Sequence, residues 1–372
     1  MGYTFSEEVF NNLYNLVYGL LALVSLLLAM TIDLNKQYIS KFIKVCSILI
    51  LVLFFLSVGF RAYDVGSDTS SYYLFSWKMA LQPGSKIEIF FYNVIKVIKY
   101  LDLSFTVFLL VISFIYFYLF YLGFQKIEKM YNTSILFILL IFFSMFFIKN
   151  MSINIIRQGV SLAILFYGCI SFLEKRGIRS FIICSILAII SHTTSVIPIL
   201  LFIGCFFISG KISIKYFYAL FLAGIILSAL NFGILNIAPF FKNIAEGDRR
   251  LGYLTNKDNI YQVYQVGFKP QFVVFNSLFL IISHFLNEKL KIYNNKYLLE
   301  YSIMQKYYIL ASFIFFMAFQ IPYSDRWGLF SWFVIPLLIA PAFSKNIKFL
   351  YKTIFILIFI LIYIFFQFYG NI

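Results

Sequence analysis

The chain has 372 residues, of which 62% are hydrophobic, 22% aromatic and only 12% charged, with a mean hydropathy of +0.91 and a net charge of +15. Soluble domains carry about a quarter charged residues, so a water-facing globular protein is excluded. The apolar runs, about 15 to 20 residues each, exceed the roughly 10-residue strands of a membrane barrel, and unpaired backbone groups are too costly in hydrocarbon; the expected fold is an all-α polytopic membrane protein.

In chain order, hydrophobic segments fall near 12 to 30, 42 to 60, 103 to 124, 133 to 149, 152 to 173, 180 to 192, 194 to 209, 216 to 234, 271 to 286, 307 to 321, 327 to 343 and 349 to 369, about twelve in all. The stretch 178–210 is shorter than the roughly 40 residues that two full spans need, and charge arbitrates its reading. Read as two short segments, with both termini outside, it leaves 17 Lys/Arg and 5 Asp/Glu in the cytoplasmic loops against 13 and 10 outside. Read as one helix, it makes the two faces nearly equal in net charge, so the positive-inside rule selects two segments. That topology gives two long outer loops, 61–86 and 236–270, and a short one around Tyr323 to Arg326. Residues 87–101 are apolar but too short to cross, and read as an interfacial helix on the outer surface. Glu7 and Glu8 stand where a signal peptide would be basic, so the first run reads as a retained span. With no repeat or soluble segment, 1–372 is expected to form a single integral membrane domain.

Most of the +15 charge is topological, and nucleic acid is not an expected partner. The four cysteines, Cys46, Cys169, Cys184 and Cys205, lie in apolar runs without CxxC spacing and read as small buried hydrophobes. Carboxylates with metal-binding spacing are not seen, so the expected chemistry uses no metal and no cofactor.

Lysine outnumbers arginine 23 to 7. Arg176 and Arg179 form an ordinary cytoplasmic anchor, whereas Arg61, Arg157, Arg249, Arg250 and Arg326 are assigned to the outer side, against the positive-inside bias. A planar guanidinium pairs bidentately with phosphate oxygens as lysine cannot, so these five are candidate phosphate ligands. The other reading has them bridge loops to Asp64, Asp68, Asp248 or Asp325. Arg157, about seven residues into its span and roughly 10 Å deep, is expected to face a polar cavity. Gln158 and Asn154 extend that polar face.

His192 lies at the junction of the two short segments, in SHTTS, where the helix is expected to break and line a cavity. A neutral imidazole accepts a proton near pH 7, which makes His192 the candidate general base, with a structural histidine as the alternative. The first outer loop places Asp64, Asp68 and Tyr72 beside Arg61. Carboxylates accept hydrogen bonds from sugar hydroxyls and aromatic rings stack on sugar faces. Asp68 is the second candidate base, and Asp64, Tyr72, Gln158, Tyr253, Tyr323 and Asp325 are candidate glycan contacts, with Tyr261 and Tyr264 open to the same reading. The alternative is a loop capped by its own aspartates, with tyrosines at the membrane interface.

Arg61 followed by Gly66-Ser67-Asp68 and Tyr72, then Arg157-Gln158 opening an apolar span, then Ser191-His192-Thr193-Thr194, resembles the EpsG/Wzy-type polysaccharide polymerases of bacterial inner membranes. These motifs cover roughly residues 50–210; the family commonly has threonine where Ser67 stands. The resemblance implies a GT-C-like membrane glycosyltransferase with its site facing the periplasm or cell exterior. Its substrates would be undecaprenyl-pyrophosphate-linked glycans, the growing chain being passed as a block to one lipid-linked repeat unit. Membrane lipid and a chain-length regulator protein are the partners it implies. Two alternatives use the same residues differently: an O-antigen ligase, and a lipid-linked oligosaccharide flippase or transporter.

Overall fold

The computed structural model describes residues 4–31, 37–80, 82, 87–175, 177–237 and 266–369. The principal helices are α1 (Glu7–Thr31), α2 (Gln37–Gly59), α3 (Ile89–Tyr100), α4 (Phe105–Tyr131), α5 (Ile135–Phe143), α6 (Phe146–Ile153), α7 (Ile156–Lys175), α8 (Ile178–Ser191), α9 (Val196–Ile208), α10 (Ile214–Ala229), α11 (Pro270–Ile292), α12 (Leu298–Met317), α13 (Asp325–Trp332), α14 (Ile335–Ile339) and α15 (Phe349–Tyr369). Every regular element among the described residues is a helix, and the protein is an all-α polytopic membrane protein. Seven described helical stretches are long and apolar enough to cross a membrane, with Asp325–Phe343 counted as one, or eight if α5 and α6 count as one bent span. The twelve expected segments are thus not twelve full spans. Segment 133–149 breaks into α5 and α6, bent by 78°. Segments 180–192, 194–209 and 216–234 become the shorter helices α8, α9 and α10. Segment 307–321 is the latter part of α12, whose first half carries Glu300 and Lys306.

Two compact units divide the chain: 1–197 with 340–372, and 198–339. In the first, α7 is the central helix, 83% buried over its most apolar window. Its small residues let neighbours approach closely, as is common in membrane helices. A Cβ on Gly168 would stand 2.6 Å from that of Cys184 on α8. Aromatic rings from α1, α2, α4 and α5 fill the rest, with Phe54 stacked on Phe143 and Phe120 against Phe142 and Phe166. Helix α4 ends at Asn132 in the left-handed conformation (φ 50°), which asparagine tolerates better than most residues. The α5/α6 bend falls at Ser144, whose Oγ lies 2.8 Å from the Tyr18 hydroxyl and donates to Leu140 O.

In the second unit α12 is the core. Its tyrosine hydroxyls satisfy carbonyls of neighbouring helices: Tyr301 donates to Ser283 O and Leu338 O, Tyr307 to Phe330 O, and Tyr308 to Asn276 O. Trp332 Nε1 donates to Asn276 Oδ1 at 2.7 Å. Such pairing is what permits polar side chains inside a membrane bundle. Pro270 begins α11, at the position where its missing N–H costs nothing.

Candidate functional site

Beyond α2 the chain turns at Arg61, where Phe5 N donates to Phe60 O and Ala62 N to Phe5 O. Arg61 is 1% exposed. Its guanidinium donates to Val58 O at 2.7 Å, to Thr69 Oγ1 at 3.3 Å and to Ile153 O at 3.4 Å. Burial pulls its pKa down to about 9, which leaves it charged at neutral pH. Arg61 ties the first loop to the end of α6, its guanidinium turned to protein oxygens.

Gly66 to Tyr72 wraps around Asn154. Gly66 takes φ +82°, and a side chain there would run into the Asn154 amide. Asp68 N donates to Asn154 Oδ1 at 3.4 Å, Ser67 Oγ donates to Asp68 Oδ1 at 3.1 Å, and the Tyr72 hydroxyl donates to Asn154 O at 2.7 Å. Helix α7 begins at Ile156, so Arg157 lies in its first turn and not seven residues into a span. The break at Asn154, whose amide is tied to Asn150, stops α6 and re-aims the chain.

This places Arg157 against Glu88, which precedes α3, and His192. Arg157 Nη1 is 2.6 Å from Glu88 Oε2, and His192 Nδ1 is 3.3 Å from Glu88 Oε1. Arg157 Cζ stands 5.8 Å from the centre of the Tyr72 ring. The side chains are 36% (Arg157), 12% (Glu88) and 16% (His192) exposed, a cluster open to solvent chiefly through the arginine. Burial alone would raise the Glu88 carboxyl, but the His192 hydrogen bond and the Arg157 charge outweigh it and hold the pKa down at about 2. An ionised Glu88 accepts a hydrogen from His192 Nδ1, so in the neutral imidazole the basic lone pair belongs to Nε2.

His192 itself is extended (φ −161°, ψ 115°) between α8 and one 3-10 turn, Thr193–Ser195, confirming the break expected at SHTTS. The turn is held from α7: Ser161 Oγ donates to Ala188 O at 2.7 Å and pairs with Ser195 Oγ. Gln158, read as a glycan contact, is only 3% exposed in the body of the bundle. Asp64 is exposed. Helix α3 was expected to lie at the interface, and it buries Phe91, Ile95 and Ile98.

A second polar group forms within 198–339. Tyr323 takes φ 58°, a strained conformation for a bulky residue. Arg326 Cζ lies 4.6 Å from the centre of its ring, and Lys269 Nζ donates to Ser324 Oγ at 2.8 Å. Burial lowers the Lys269 ammonium pKa, with Asp325 opposing. Arg249, Arg250, Tyr253, Tyr261 and Tyr264 lie outside the described residues. Among the described residues, no three His, Cys, Asp or Glu side chains converge as a metal site would require.

The model of the EpsG family matches residues 43–372, most of the chain and both polar groups. The chain belongs to the EpsG family. No curated protein and no solved structure matches it. Membership gives a multi-pass membrane protein and, broadly, a polysaccharide-polymerase type of function. Within this EpsG protein the sequence singled out Arg157, His192 and Tyr72, which the fold brings together, but not Glu88. A lone carboxylate heading an apolar stretch that could not cross was the one local signal for it.

Proposed function

We propose that this EpsG protein elongates a polysaccharide by joining repeat units carried on undecaprenyl pyrophosphate, at the outer face of the cytoplasmic membrane. The observation that carries the reading is Glu88 bridging Arg157 and His192, which supplies an oriented base and a cation in one solvent-reaching cluster. The acceptor hydroxyl gives its proton to His192 Nε2 as its oxygen attacks the anomeric carbon of the growing chain. The anomeric C–O bond to pyrophosphate breaks, and the departing charge is met by the side of the Arg157 guanidinium not turned to Glu88. Glu88 fixes the imidazole tautomer and stabilises the imidazolium that forms, as the buried carboxylate does in a catalytic triad.

Arg61 is an anchor in this scheme, and Asp68, tied to Ser67 and Asn154, supports the loop that carries Tyr72. Arg326, stacked on Tyr323, is retained as a phosphate ligand and Asp325 as a glycan contact; Arg249, Arg250 and Tyr253 keep the same assignments on sequence alone. Metal is not part of the scheme, so a chelator should leave turnover unchanged. The test is elongation from purified lipid-linked repeat units. His192→Ala and His192→Gln should each lose about a hundredfold or more, with donor binding retained. Full activity in His192→Gln would remove the proton transfer from His192.

A further inference from the structure

The far end of α11 carries polar groups that polymerisation does not use. A cavity of about 450 Å³ opens there, its polar lining formed chiefly by Ser209, Lys211, Asn287, Lys291, Ser302 and Lys306. Lys306 is 3% exposed, yet donates to Ser209 O at 2.5 Å and Ile212 O at 2.8 Å, capping the free carbonyls beyond α9. An ammonium has three protons; two are used in those bonds, and Nζ also lies 5.3 Å from the centre of the Phe217 ring. Two further groups on the same wall are buried with no partner among the described residues, Ser209 Oγ and Asn287 Oδ1. The Asn287 amide is not at liberty to correct this, because its Nδ2 is committed to Gln305 Oε1 at 3.1 Å and Gln305 Nε2 in turn to Ser283 Oγ. Buried polar atoms are nearly always hydrogen-bonded, so leftover groups gathered at one cavity point to a ligand.

The chemistry of that ligand follows from the lining. Lys211 and Lys291 stand exposed at the rim; Lys291 is paired with Glu288 at 2.5 Å, but both are about half exposed, and such surface pairs exchange readily. Three ammonium groups call for an anion, whereas Asn287 Oδ1 can only accept and calls for a hydroxyl. Leu299 and Ile212, 51% and 39% exposed, add an apolar edge. We propose that the cavity binds the hydroxyl-bearing phosphate headgroup of an anionic glycerophospholipid. It is distinct from the Lys269 and Arg326 group: α11 has 23 residues, so at 1.5 Å per residue its two ends lie roughly 33 Å apart, close to one bilayer core.

The test uses the full-length protein in detergent, titrated with dioleoylphosphatidylglycerol, with dioleoylphosphatidylcholine, and with inorganic phosphate as competitor, bound lipid being counted by native mass spectrometry. The expected result is selective retention of phosphatidylglycerol. In Lys211→Gln/Lys291→Gln it should weaken by about thirtyfold, the loss of two lysine–headgroup attractions, while Lys41→Gln/Lys44→Gln should change it little. Because Lys211 and Lys291 are exposed, the double variant should remain folded. Equal retention of phosphatidylcholine, equal loss in the Lys41/Lys44 control, or unchanged retention in Lys211→Gln/Lys291→Gln would overturn the proposal. Binding of inorganic phosphate with no lipid retained would also overturn it, assigning the cavity to a soluble phosphate.

Discussion

Replacing Glu88 with glutamine removes one charge from a cluster in which it faces two partners, Arg157 at 2.6 Å and His192 at 3.3 Å. Two effects of different size follow. Exposed ion pairs contribute about 0–1 kcal/mol, and breaking a buried one costs about 3–5 kcal/mol. Because the Arg157 side chain is 36% exposed, the expected loss of stability lies between, about 1–2 kcal/mol, too little to unfold the protein. Catalysis should fall much further, by about a hundredfold to ten-thousandfold, because a neutral amide neither fixes the tautomer nor stabilises the imidazolium. The pH profile separates these effects. With a pKa of about 2, well below the roughly 4.3 of an unfolded carboxylate, Glu88 contributes fully above that unfolded value and loses its contribution only as the pH falls toward 2. The acid limb between pH 5 and 8 therefore reports the imidazole, and in Glu88→Gln it should move to lower pH, because the carboxylate that favours imidazolium is gone. The assay is initial elongation rate against pH at matched protein level. Wild-type rate with an unmoved acid limb in Glu88→Gln would refute the dyad.

Three further outcomes are expected. Arg157→Lys should lose most long-chain product, because one ammonium cannot hold Glu88 and a pyrophosphate oxygen in the geometry of the fork, as read from polymer length on gels. Arg61→Met should act through stability, losing about 3–5 kcal/mol in thermal or chemical unfolding as the loop's carbonyl and hydroxyl partners are left unsatisfied, with surviving protein keeping a near-normal KM. An impermeant thiol reagent applied to cells should label Val266→Cys and spare Asn294→Cys, in line with the charge asymmetry of the loops; the reverse pattern would invert the second half of the chain.

The helical membrane fold was legible because apolar runs of span length leave the backbone no alternative. The break at His192 was also legible, since three hydroxyl residues follow it and the stretch is too short for two full spans. Sequence could not show that 133–149 bends at Ser144, a kink set by a serine bonding its own helix and Tyr18 across the bundle. It could not tell an arginine turned outward from one turned inward: Arg61 is buried against protein oxygens, and Arg157 reaches solvent. Glu88 carried only the weak mark of a lone carboxylate ahead of an apolar stretch, because its partners lie 69 and 104 positions away. Nothing local marks a contact that only the packing of α3 against the bundle creates.

The most direct measurement gives the purified EpsG protein a single substrate, one lipid-linked repeat unit, and follows the length of the lipid-linked product with time. The proposed mechanism predicts a ladder of multiples of the repeat unit, released pyrophosphate-linked carrier, the same rate in the presence of a chelator, and no ladder from His192→Ala. Single units unchanged by active wild-type protein, or a ladder that forms as fast with His192→Ala, would contradict it.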